Sequence, residues 1–272
     1  MPTTIQNMRS ITSRQNPVVA QFRALAGTAD PAGARVLLDG VHLVREAHGA
    51  GHSFVTVAVA SSRMTSDSEE GRLAQMLTQA GVDVVQVPDG VFAAMSPVRT
   101  PTGIVAIAAR RPVSASDLCN VENALVLLAV DVQDPGNIGA LVRTAEAAGV
   151  TGVFVTGASA NPFGWKAIRG SMGSTMRLPV VNGMATESVL SCLAASGIRS
   201  VAAVPQGGAD PDAVDWRGRV AVVLGGEGAG LSGEVTRVCD GLVSIPMADR
   251  VESLNVAVAG AILVYAARRQ RA

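Results

Sequence analysis

Residues 220–233 read VAVVLGGEGAGLSG, and their interpretation decides the fold. Five apolar residues make a run of strand length, four glycines follow at 225, 226, 228 and 230, and Ser232 opens a short helix. A strand that is apolar without alternation is buried on both faces, as in a parallel sheet covered by helices. Glycine lacks a Cβ and accepts positive φ, so a loop this rich in it implies close backbone approach, preferably to a ligand. Gly228 to Gly233 also fits G-x-G-x-x-G, with Asp249 or Glu252 available as the ribose acid of a dinucleotide fold. Only 39 residues follow Gly233, too few for the remainder of such a half. A ligand loop of another kind is the better reading.

The alternation of strand and helix extends in both directions. Upstream come ALVLLAVD, a helix over 137–148, GVFVTG, a helical stretch near WKAIRGSMGS, RLPVV, the helix ESVLSCLAASG and IRSVAAV. Downstream come GLVSIP and a long helix from Ser253. A first block repeats the theme, from a helix opened by Asn16-Pro17 through ARVLLDG, VHLVREAHGAG, SFVTVAVA, GRLAQMLTQAG, VDVVQV and DGVFAAM to GIVAIAA. RPVSASDLCNVEN, rich in turn formers, reads as a linker. The expected organisation is a smaller α/β domain over 1–111, a linker over 112–123 and a larger α/β domain over 124–272.

Two further stretches of the larger block carry polar groups at the ends of strands. In DPGNIGALVRTA (134–145), Asn137 follows a strand and a Pro-Gly turn and is read as a helix cap. Arg143, six residues on, has Ile138, Leu141, Val142 and Ala145 as apolar neighbours, so its guanidinium needs a partner such as a phosphate or hydroxyl. In SIPM (244–247) and ESLNVA (252–257), a strand is expected to end at Ile245 and a helix to start at Ser253. Ser253 and Asn255 would then stand beside the glycine loop if strands 220–224 and 242–246 are neighbours. Capping alone is the plainer role for both Asn137 and Ser253.

Composition narrows the classes. The chain is 48% hydrophobic and 16% charged, and its 22 basic residues balance 22 acidic ones. Disorder is excluded by that hydrophobicity, and a wholesale polycation by the zero net charge. The most apolar stretch, 256–267, is short of the roughly 20 residues a membrane span needs. The first residues contain no apolar core of a signal peptide, and Cys119, Cys192 and Cys239 are scattered without a CxxC pair, so a reducing cytoplasm is expected. His42, His48 and His52 lack nearby cysteines, and glycines 49 and 51 interrupt the one helical spacing, so no metal site is expected. Eight aromatic residues without a stacking motif argue against a sheet-platform RNA binder.

Together the three stretches resemble the motifs of the SpoU (TrmH-type) branch of the SPOUT RNA methyltransferases, over residues 124–272. Motif one lies at Asn137 to Arg143, motif two at Gly225 to Gly230 and motif three at Ile245 to Asn255, with IRGSMGS between them also similar. The first block resembles the L30e-like substrate-binding domain of many members, with ITSRQNP and SPVRTPTGIVAIA as flanks and Thr102 where a glutamine is common. The resemblance implies an α/β trefoil-knot domain, S-adenosylmethionine as methyl donor, a ribose 2′-hydroxyl of RNA as acceptor and a homodimer formed through the C-terminal domain. It implies cofactor contacts at Gly225, Ile245 and Leu254, flanked by Leu224 and Met247. It places Arg143 at the catalytic position with Asn137, Glu227, Ser253 and Asn255, and needs no metal. Arg14 and Arg99, at the two ends of the first block, are the arginines expected to contact RNA. Ribosomal RNA is the expected substrate, with transfer RNA the alternative. A silent RNA-binding protein is the rival from another class.

Overall fold

The structure is a computed structural model that describes residues 8–228, 230–248 and 250–271. It divides into two compact units, Met1–Arg111 with Phe163–Trp165, and Pro112–Pro162 with Lys166–Ala272. Phe163–Trp165 depart from the boundary expected at 111. The Phe163 ring lies under the Arg110 guanidinium, 4.2 Å away, and Trp165 packs on the core that holds Val19, Phe22 and Phe92.

The first unit contains β1 (Arg9–Ser10), α1 (Pro17–Gly27), β2 (Arg35–Asp39), α2 (Val41–Gly49), β3 (Ser53–Ala60), α3 (Glu69–Gln79), β4 (Val84–Val87), α4 (Asp89–Phe92) and β5 (Ile104–Ala109). Its sheet has the order β1-β4-β3-β5-β2. The pairs β1–β4 and β4–β3 are parallel, whereas β5 runs against both β3 and β2. Asn16 caps α1 by accepting from the Val18 amide at 2.9 Å, with Pro17 in the first turn.

The second unit contains α5 (Ala115–Cys119), β6 (Leu125–Val130), α6 (Pro135–Ala148), β7 (Gly152–Thr156), α7 (Trp165–Gly170), β8 (Val180–Met184), α8 (Thr186–Ala195), β9 (Arg199–Ala203), β10 (Val220–Gly225), α9 (Gly233–Val238), β11 (Gly241–Val243) and α10 (Val256–Arg271). Its six strands are parallel, in the order β11-β9-β10-β6-β7-β8. All of β6 and β7 is buried, as a sheet covered on both faces requires. Among the described residues no helix is long and apolar enough to cross a membrane.

Four local expectations are corrected. The segment 112–123 is no linker, because a Ser114–Asp117 capping box starts α5 and buries Leu118 and Cys119 in the second core. Asp134, not Asn137, caps α6: it accepts from the Asn137 amide at 2.9 Å, and Pro135 takes the first helical position. That leaves the Asn137 side chain free for other work. Ser253 does not start the last helix, which begins at Val256, with Asn255 Oδ1 accepting from the Ala257 amide at 2.9 Å. Finally, β11 ends at Val243 rather than Ile245, and β9 lies between β10 and β11, so the two strands expected to be neighbours are not.

Candidate cofactor and active site

Because its strands are parallel, the second unit presents all their carboxyl ends along one edge, where open α/β sheets bind ligands. The loops after β9, β10 and β11 and the start of α10 enclose a cavity of about 350 Å³ there. Leu224, Gly225, Ile245, Met247 and Leu254 all line it. An adjoining recess of about 510 Å³, which shares Pro205, Ile245 and Met247, is bordered by Gln206, Asp210 and Ser244.

The glycine loop owes its composition first to itself. A Cβ on Gly225 would collide with the Gly230 and Leu231 backbone, and one on Gly226 with the Asp131 carbonyl. Gly226 and Gly230 also pair across the loop, and Asp131 itself adopts the left-handed region at φ 56°. The close approach expected of a ligand is therefore made by the chain's own backbone, and the folded loop forms one wall of the cavity. The dinucleotide reading finds little support: the helix after the glycines has only six residues, Glu252 is exposed, and Asp249 lies outside the described residues.

A hydrogen-bonded chain of polar groups stands beside this wall. Asn137 Nδ2 donates to Glu227 Oε1, and Asn255 Nδ2 donates to Asn137 Oδ1 at 3.0 Å. The Asn255 carbonyl oxygen is occupied by the α10 amides, so the amide group faces Asn137. The first turn of α6, the glycine loop and the segment before α10 are thus joined, and the Asn137 amide is held at both its ends. Glu227, Ser253 and Asn255 line the cavity as well. Arg143 belongs neither to the cavity lining nor to this chain of bonds; it is exposed on α6.

In the first unit Arg14 and Arg99 are both exposed, and Arg14 Nε donates to the Gly90 carbonyl at 2.9 Å. Thr102 Oγ1 donates to Asp39 at 3.0 Å. Ala203, Val204 and Pro205, after β9, also line the cavity and were not expected there. Only the strand order could have found them, since Ala203, Val204 and Pro205 carry no polar signal of their own.

The SpoU rRNA methylase family model matches residues 124–265, more than half of the chain and the whole of this site. The chain belongs to that family. Relatives match nearly the whole chain. An uncharacterised tRNA/rRNA methyltransferase of Synechocystis is 34% identical over 97% of this chain and 95% of its own. The 23S rRNA (guanosine(2553)-2′-O)-methyltransferase of Bacillus subtilis is 31% identical over 95% of this chain and 98% of its own. Among solved structures, an S-adenosylmethionine-bound rRNA methyltransferase from Sinorhizobium meliloti superposes with a TM-score of 0.83 at 29% identity, covering 96% of this chain and 98% of that one. The SPOUT-type α/β fold of the second unit is that of the family.

Proposed function

We propose that the protein transfers a methyl group from S-adenosylmethionine to a ribose 2′-hydroxyl of ribosomal RNA. The observation that carries this reading is the cavity wall of Leu224, Gly225, Ile245, Met247 and Leu254 beside the Asn137–Glu227–Asn255 chain, in a member of the SpoU family. The residues present fit that cofactor. The cavity lies within the usual range of about 300–1,000 Å³ for small-molecule sites, and it offers apolar side chains for an adenine and a few polar groups for orientation. When bound, the cofactor supplies an electrophilic methyl group, the chemistry a protein side chain cannot.

The chain's own residues have three tasks. The apolar flanks Leu224, Ile245, Met247 and Leu254 hold and desolvate the donor. The linked Asn137, Glu227 and Asn255, with the Ser253 hydroxyl, set the position of the incoming ribose. Arg143 stabilises negative charge as it develops on the hydroxyl oxygen and can hold the adjacent phosphate through its planar fork. A guanidinium has five N–H donors and no acceptor, so its role is charge and position.

The first unit is assigned to RNA binding as an L30e-like domain, with Arg14 and Arg99 on its exposed surface. The working form is a cytoplasmic homodimer made through the C-terminal domain. Val258, Ile262 and Tyr265, spaced along one face of α10 and 49%, 38% and 42% exposed, support a partner there. The test uses radiolabelled S-adenosylmethionine with 23S, 16S and transfer RNA. Label is expected in 23S RNA as an alkali-resistant 2′-O-methyl dinucleotide. Label confined to transfer RNA or to a base would overturn the substrate assignment, and no cofactor binding by calorimetry would leave an RNA-binding protein.

A further inference from the structure

Away from the cavity, the second unit brings together two of the chain's three cysteines. Cys119 is the last residue of α5 and Cys192 lies on α8, 73 positions apart, yet their Sγ atoms are 3.2 Å from each other. A disulfide bond is about 2.04 Å long, so roughly 1 Å of closure separates the pair from a covalent bridge. Cys119 is buried in the second core, and Cys192 packs at the edge of that core, half-buried.

Two polar groups face the thiols. Ser196, the residue after α8, favours the charged form of the Cys119 thiol. Arg219, just before β10, donates through Nη2 to the Cys119 carbonyl, while its Nε is buried without a hydrogen-bond partner among the described residues. The positive charge of this guanidinium favours the charged form of Cys119. Burial pushes the Cys119 thiol up to about 11, with the adjacent Cys192 adding to the rise, while Ser196 and Arg219 oppose it.

We propose that Cys119 and Cys192 form a redox site, a dithiol that a hydroperoxide converts reversibly to a disulfide. Cys192 reacts first, because it is the half-buried member of the pair, whereas Cys119 is buried and burial keeps its proton in place. Its thiolate attacks one peroxide oxygen, the O–O bond breaks, and the product is a sulfenic acid and hydroxide. The Cys119 sulfur then attacks the Cys192 sulfur. The S–S bond forms, the S–O bond breaks, and the hydroxide released in each step takes one thiol proton. Two thiols have lost two electrons and two hydrogens, and the peroxide has become two waters. A small dithiol reverses the step by exchange. The bridge ties α5 to α8, two helices otherwise joined by packing within one core.

The full-length protein is treated with hydrogen peroxide, alkylated and digested without reductant. Titratable thiols should fall from three to one, and the Cys119 and Cys192 peptides should appear joined, two hydrogens lighter than their sum. Dithiothreitol should restore all three thiols. Cys239→Ser should bridge as the wild type does, and Cys192→Ser should form no intramolecular bridge. Oxidation of Cys192 to the sulfinic acid with Cys119 still reduced would overturn the proposal. So would a bridge that forms only in denaturant, or one that joins Cys239 instead.

Discussion

The two sheets share a helix-covered α/β design and differ at one edge. In the first unit β5 is inserted against the direction of β3 and β2, so the loop that enters β5 arrives where those strands end. That loop fills the space: Ser96 and Thr102 donate to Asp39, the last residue of β2, at 2.7 and 3.0 Å. In the second unit no strand is reversed, and the corresponding edge is left to the loops after β9, β10 and β11, which part around a cavity. One reversed strand closes a ligand edge with the protein's own hydrogen bonds. Its absence leaves room for a cofactor and gathers residues from three loops around it.

This contrast places the cavity in the second unit, and variants there and at the proposed RNA contacts of the first can break or sharpen it. The largest effect is expected for Arg143→Ala, which should lower single-turnover methyl transfer about 10²–10³-fold while melting temperature and cofactor affinity stay near wild type. Arg143→Lys should recover little, because a flexible point charge does not reproduce the fork. A stable, cofactor-competent Arg143→Ala enzyme with ordinary turnover would end the assignment.

A matched pair of glycine substitutions compares the two units directly. Gly226→Ala drives a Cβ into the rigid Asp131 carbonyl and should cost about 3 kcal/mol, together with most cofactor binding. Gly103→Ala, at φ +95°, is strained and meets the base of the Arg63 side chain at 2.6 Å, so it should cost about 1–3 kcal/mol, but with cofactor binding intact. Cofactor binding retained by Gly226→Ala would mean that backbone contact at 226 is not what shapes the loop. A smaller effect is expected for Arg14→Ala combined with Arg99→Ala. RNA affinity should fall and the salt slope of binding flatten by up to about 2, with calorimetric cofactor affinity unchanged.

The smallest effect concerns the second unit's own frame. Arg177 pairs with Glu146 through two contacts at 2.7 and 2.8 Å and holds its carboxyl below the usual carboxylate range. A lowered folded pKa gives stability that is present above the unfolded value of about 4.3 and lost as pH falls through the folded one. Glu146→Gln should therefore cost under about 1 kcal/mol at pH 7, and its melting curve should converge on the wild type's as the pH drops below about 4.

Much of this was readable from residues in order. Unbroken apolar runs announced the covered parallel sheet, and the glycine and Ile245–Asn255 segments marked loops that line the cavity. What escaped were relations between distant segments. Nothing local to IRSVAAV says that β9 slips between β10 and β11, so Ala203 to Pro205 went unnoticed as cavity lining. The cap of α6 was misplaced because Asp134 and Asn137 are both good capping residues, and Pro135 decides between them. Once Asp134 takes the cap, Asn137 can bridge Glu227 and Asn255, partners 90 and 118 positions away. The cysteines likewise looked scattered until α5, hidden among turn formers, packed Cys119 beside Cys192.

The pairing of β6 with β10 also sets a timetable for synthesis. Leu125 lies opposite Val220, so β6 waits for about 95 further residues before its inner neighbour exists. At a ribosomal pace of roughly 5–20 residues per second that delay is on the order of 5–20 s. During it a six-residue strand whose every side chain ends up buried carries an open edge, with only β7 and β8 on its other side. The nascent chain is then most in need of a chaperone, and a slowing of translation after residue 225 would give β10 time to close the sheet.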